Sequence, residues 1–142
     1  MAAVTGSCLC GAIRYEVTGR ISPIALCHCS KCRKANGSAF HSGALCRKTK
    51  FRWLRGEGEF REYRTESGYR VRFCRHCGSP VPMHLEDEPF VVLHAGALDV
   101  DPGSRPIHHF HVGSKAPWYE IHGPLPCYDE SAPADEDVES AG

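Results

Sequence analysis

Apolar and polar residues alternate along several short stretches of this chain: Ile13/Tyr15/Val17, Phe51/Trp53 and Tyr69/Val71/Phe73. A period of two puts every second side chain on one face, so each stretch reads as a strand with one buried face. Phe90-Val91-Val92-Leu93 is a short continuous apolar run, and two further extended segments cover 107–112 and 118–121. Turn signals separate them: Gly56-Glu57-Gly58, Ser67-Gly68 and Asp101-Pro102-Gly103. Allowing for less regular stretches, this spacing predicts about eight short strands in a mainly β domain. No run of ten or more residues has a helical period. One short helix is predicted, from Ser30 as N-cap through Lys31-Cys32-Arg33-Lys34-Ala35, stopped by Asn36-Gly37.

A chain of 142 residues has room for one hydrophobic core, so residues 1–128 are expected to form a single domain. The tail from 129 to 142 is rich in Asp, Glu, Ala and Ser, with Val138 as its one sizeable apolar residue, and is expected to be disordered. Six of the 17 acidic residues lie in that tail, where there is no base. Residues 1–128 therefore set 17 Lys and Arg against 11 Asp and Glu, a net +6. The excess suits a small anionic ligand, and equally a basic surface tuned for solubility. No helical segment carries the basic face that reads DNA, so no nucleic acid partner is expected. No apolar run approaches the roughly 20 residues a membrane span requires.

Nine cysteines change the picture. So many in one small domain serve either disulfides in an oxidising compartment or metal in a reducing one. The first seven residues lack a basic or apolar leader segment, the count is odd, and most of the cysteines fall in tight groups. A cytoplasmic metalloprotein is expected.

Thiolates about 2.3 Å from a tetrahedral zinc lie about 3.8 Å from one another, so the ligands must come from positions whose side chains converge. Cys8-Leu9-Cys10-Gly11 meets this if residues i and i+2 share a strand face. Cys74-Arg75-His76-Cys77-Gly78 reads as a zinc knuckle whose glycine permits the tight turn. Together they predict a structural four-cysteine site that ties the start of the chain to its middle.

Cys27-His28-Cys29-Ser30-Lys31-Cys32 offers three thiolates from one short loop and leaves a fourth position open, as catalytic zinc requires. Closure by His28, His41 or Cys46 would instead make it a second structural site. Cys32 falls in the first helical turn beside Lys31, Arg33 and Lys34, a setting that favours thiolate. Three anionic sulfurs quench Lewis acidity, so the site suits binding a substrate thiolate better than generating hydroxide. Cys46 and Cys127 stand apart and read as small hydrophobes. The His108-His109-Phe110-His111 cluster reads as packing or hydrogen bonding rather than metal ligation. Arg33, Lys34 and Lys115 are candidate anchors for the carboxylates of a thiol peptide, and Trp118 is a candidate pocket wall.

These motifs resemble the glutathione-dependent formaldehyde-activating enzyme (centromere protein V-like) family. The resemblance runs through Gly6 to Tyr15, Cys27 to Lys34 and Phe73 to Ser79, then Val92 to Asp99 and Ser114 to Tyr119. It implies a β-tent of short antiparallel strands around a structural zinc on Cys8, Cys10, Cys74 and Cys77. It further implies a catalytic zinc on Cys27, Cys29 and Cys32, giving two zinc ions per chain. The implied reaction is that of a carbon–sulfur lyase joining a small thiol such as glutathione to a small aldehyde, formaldehyde, as S-hydroxymethylglutathione. Two rival readings are a non-enzymatic thiol carrier or partner-binding scaffold, and a redox enzyme of the methionine sulfoxide reductase type, which the β-tent fold also hosts.

Overall fold

The structure is a computed structural model that describes residues 2–133. Ten strands and one short helix follow in the order β1 (Val4–Ser7), β2 (Arg14–Val17), β3 (Ile24–Cys27), α1 (Ser30–Asn36), β4 (His41–Arg47), β5 (Phe51–Arg55), β6 (Phe60–Arg64), β7 (Arg70–Cys74), β8 (Met83–His84), β9 (Phe90–His94) and β10 (Pro106–Phe110). They form a three-stranded sheet ordered β1-β2-β5, a five-stranded sheet ordered β10-β3-β4-β9-β8, and the β6-β7 hairpin. The mainly β fold of short strands with one helix agrees with the sequence pattern. No helix among the described residues is long and apolar enough to cross a membrane.

Three local expectations are corrected. β10 pairs with β3 in parallel, not antiparallel. Parallel pairing needs a long connection, and here residues 28–105 intervene, so no local signal announces it. Residues 118–121 form no strand: Tyr119 N–H donates to the Ala116 carbonyl in a turn, and Trp118 stands in solvent. The N-cap of α1 is Cys29 rather than Ser30. Cys29 is extended at φ −64°, ψ 154°, and its sulfur accepts from Cys32 N–H at 3.3 Å. The cysteine thus takes the role that a Ser or Asp side chain usually fills. Gly37 closes the helix in the left-handed region, as its sequence position predicts.

The five-stranded sheet has two unlike faces, and the alternation along its strands makes them so. Ala44, Cys46, Val91 and Leu93 point one way and join Ile13, Tyr15 and Val17 of the small sheet in the core. Cys46 is therefore the buried hydrophobe it was expected to be, with its thiol pushed up to about 12 by burial. The other face follows from the register. Cys27 pairs with His41, Ala25 with Gly43, Gly43 with His94, and Leu45 with Val92. This second face carries Cys27, His41 and His94.

Gly6 pairs with Tyr15, and a Cβ on Gly6 would fall inside the buried Tyr15 ring. Tyr15 stacks on Phe51 at 5.5 Å and meets Trp53 edge-on at 6.3 Å, so it has nowhere to move. Gly6→Ala is expected to cost about 2–3 kcal/mol by overpacking. A urea titration tests this; an unchanged midpoint would show that the ring relocates freely.

The expected acidic tail starts at 129. Asp129 and Glu130 accept backbone hydrogen bonds from Gly113 and His111, so the ordered chain continues past residue 128. The expectation for 134–142 lies outside the described residues.

Candidate metal centres

The first cysteine group is assembled by two turns. Cys8 and Cys10 lie in the β1–β2 loop rather than on a strand: Gly11 N–H donates to the Cys8 carbonyl, and Gly11 adopts φ 80°. The convergence of residues i and i+2 thus comes from the turn. Cys74 ends β7, and Gly78, at φ 78°, donates its N–H to the Cys74 carbonyl at 2.8 Å, which brings Cys77 round. The four sulfurs lie within 4.8 Å of one another, with Cys8 to Cys10 at 3.7 Å and Cys10 to Cys74 at 3.9 Å. Those separations match the edge of a tetrahedral thiolate site. Backbone N–H groups of Ile13 and His76 donate to the Cys8 and Cys74 sulfurs. The Ser79 hydroxyl beside Cys77 holds that thiol down at about 5. This group can hold a metal ion as a thiolate cage.

The second group unites the end of β3 with the start of α1. Cys27 is the last residue of β3, Cys29 caps the helix and Cys32 sits in its first turn. Their three sulfurs also lie within 4.8 Å of one another. The strand alternation turns His28 the other way, into a fully buried contact with His109 at 2.8 Å between Phe40 and Tyr119. Neither His28 nor Cys46 joins the cluster, and His41 bonds to His94 at 2.7 Å. No fourth His, Cys, Asp or Glu ligand therefore closes the group among the described residues. The thiols share hydrogens: the bond to Cys27 holds Cys32 down at about 6, and the same bond pushes Cys27 up. Such a cluster is poised to become wholly thiolate when a cation enters it.

A residue invisible to motif reading completes the centre. Tyr69, just before β7, places its hydroxyl 3.3 Å from Cys32 Sγ. Lys31 on the helix donates to Ser67 Oγ at 3.0 Å, which ties the β6–β7 turn to α1 and brings Tyr69 over the cysteines. Between the helix, β7 and the functional sheet face lies a cavity of about 360 Å³. Cys32, Tyr69, Arg70, Arg72, His41 and His94 line it. Arg70 is only 10% exposed, shares Glu62 with Arg72, and leaves its Nε without a partner. A second cavity of about 600 Å³ meets the first at Asn36, His41, Pro80 and His94 and extends to Ser7, Cys8 and Asp99.

Of the four residues expected to contact substrate, Arg33 and Lys115 are tied to backbone carbonyls: Arg33 Nε donates to that of Ser114, and Lys115 Nζ to those of Tyr119 and Ala116. Lys34 is exposed and Trp118 is 73% exposed, edge-on to Tyr119. None of the four lines the cavity beside Cys32. Arg70 and Arg72, from the β6–β7 hairpin, do line it. In the histidine cluster, His109 is buried against His28, whereas His111 leaves the strand at φ 54°. Both are consistent with packing and hydrogen bonding. Cys127 is exposed rather than buried.

The family model described as glutathione-dependent formaldehyde-activating enzyme matches residues 3–114. A crystal structure of a Rhodobacter sphaeroides protein is similar in fold, with a TM-score of 0.55 and 23% identity over 71% of this chain and 97% of that one. No curated protein matches this chain.

Proposed function

The chain belongs to the glutathione-dependent formaldehyde-activating enzyme family, and on that premise we propose that it is a zinc-dependent carbon–sulfur lyase or synthase. Its substrate would be the adduct of a small thiol, such as glutathione, with a small aldehyde. The observation that carries this reading is the three-thiol cluster of Cys27, Cys29 and Cys32, with no fourth ligand within reach among the described residues and with Cys32 on the wall of a cavity. All nine cysteines are free, which supports a cytoplasmic, reducing setting.

The donor sets fit zinc: four soft sulfurs at tetrahedral spacing on Cys8, Cys10, Cys74 and Cys77, and three more with room for a fourth donor. When bound at the second group, zinc supplies a Lewis acid that keeps a substrate sulfur as thiolate at neutral pH. The protein's own groups do the rest. The sheet, helix and hairpin enclose the sulfur and limit the water around it. The Tyr69 hydroxyl donates to the Cys32 sulfur and offsets the charge gathered there. Arg70 and Arg72, both paired with Glu62, line the cavity and are the candidate contacts for a carboxylate-bearing thiol.

Turnover is the test. The zinc-loaded protein should accelerate formation and breakdown of the glutathione–formaldehyde adduct above the uncatalysed rate. A thiol carrier would saturate with glutathione and leave that rate unchanged. Tyr69→Phe is expected to weaken metal binding at the three-cysteine group about 10-fold or more, without touching the four-cysteine group. Stepwise release to a chelator would show one metal leaving earlier. Release identical to wild type would remove Tyr69 from the centre.

A further inference from the structure

His41 and His94 form a pair whose proton positions follow from one carbonyl. His94 Nε2 lies 3.1 Å from the Val81 carbonyl oxygen, which can only accept, so Nε2 carries the hydrogen. In the neutral ring Nδ1 is then an acceptor. His41 Nε2, 2.7 Å from that Nδ1, must donate to it. His41 Nδ1 is left with a bare lone pair, and among the described residues the one hydrogen bond of the His41 ring is that from Nε2 to His94.

Gly43 makes the pairing possible. His41 and Gly43 share a face of β4, and His94 lies opposite Gly43 on β9. A Cβ on Gly43 would come 2.8 Å from His41 Cε1, so the imidazole leans across space that any other side chain would fill. On its other side His41 faces Cys27 in the β3–β4 register, and it lines the same cavity as Cys32. A fixed acceptor is therefore carried by the strand residue paired with Cys27, on the wall of the cavity that Cys32 also lines.

The adduct of a thiol with an aldehyde carries a hydroxyl on the carbon bonded to sulfur. We propose that His41 Nδ1 accepts the hydrogen bond from this hydroxyl when the adduct's sulfur sits at Cys27, Cys29 and Cys32. His41 is then a specificity determinant for hydroxyl-bearing adducts, and His94 is the residue that positions it. The inference rests on the proposed function and adds the feature that tells the adduct from other thioethers. A ligand of equal size without the hydroxyl leaves the acceptor unpaired and is rejected for that reason.

The test compares S-hydroxymethylglutathione, held by excess formaldehyde, with its isostere S-ethylglutathione as ligands of the zinc-loaded full chain. Wild type is expected to prefer the hydroxymethyl adduct by about 10-fold or more. His41→Phe should abolish the preference, binding S-ethylglutathione more tightly than wild type does because no acceptor is left unpaired, and the hydroxymethyl adduct less tightly. Nitrogen NMR of the wild-type imidazoles, which needs neither ligand nor variant, should show both rings as the Nε2–H tautomer. Equal affinities for the two ligands, or a hydrogen on His41 Nδ1, would overturn the inference and leave the proposed function standing. Failure of both ligands and of glutathione to bind would overturn the proposed function and this inference with it.

Discussion

Cys74→Ser should leave a chain that no longer folds cooperatively at 37 °C. Cys74 is 1% exposed at the end of β7, and its backbone holds the knuckle turn through Ser79 and Gly78. Its sulfur lies 3.9 Å from that of Cys10, 64 positions earlier. A metal held by these four thiolates closes a long loop and fastens the β1–β2 turn to the β6–β7 hairpin. Structural zinc contributes on the order of 10 kcal/mol to folding, whereas a whole domain is stable by about 5–15 kcal/mol. Losing one ligand should therefore cost most of the net stability. Circular dichroism and thermal melting of the variant read this directly, and chelation of the wild type should reproduce it. A melting temperature within a few degrees of wild type would show that the four-cysteine group does not support the fold.

Cys29→Ser should have the opposite signature: an intact fold and a lost activity. Serine is itself a good N-cap, so its hydroxyl can take over the hydrogen bond from Cys32 N–H that the Cys29 sulfur accepts. The helix therefore survives. What disappears is one of three thiolates in a group with no fourth. Metal content is expected to fall from two ions per chain to one. Adduct turnover should fall by at least about 100-fold, since even indirect partners of a metal site cost 10- to 100-fold. Metal analysis and a thiol titration of the cobalt-substituted protein measure both. Retention of two metals with unchanged thiol affinity would end the case for a functional centre at Cys27, Cys29 and Cys32.

Much of this architecture is readable before any coordinates. Period-two alternation locates β2, β5 and β7 because each buries one face, and Phe90 to Leu93 marks β9 by its unbroken apolar run. The division of seven cysteines into groups of four and three follows from spacing, because only close pairs converge on one ion. The glycine at 37 ends the helix where local rules put it.

β4 escapes such reading: its functional face is His41, Gly43 and Leu45, not a conventional apolar stripe, although it is the central strand that carries both core and site. Local rules place the helix start one residue late because cysteine is not counted among capping residues until its sulfur is seen accepting a hydrogen bond. Arg33, Lys34, Lys115 and Trp118 stand near the motifs in sequence, and neighbourhood in sequence does not show which side chains line the cavity beside Cys32.

The information legible in the chain is therefore local: which segments are extended, where the turns fall and which thiols can converge. These depend on side-chain periodicity, on glycine and on ligand spacing, all expressed within a few residues. Only the tertiary structure decided that Tyr69 reaches Cys32 from 37 positions away and that His41 leans over Gly43 to meet His94. It alone decided, too, that β10 returns in parallel beside β3. Those contacts are set by how sheets, helix and hairpin pack against one another, and packing is a property of the whole chain that no short stretch encodes.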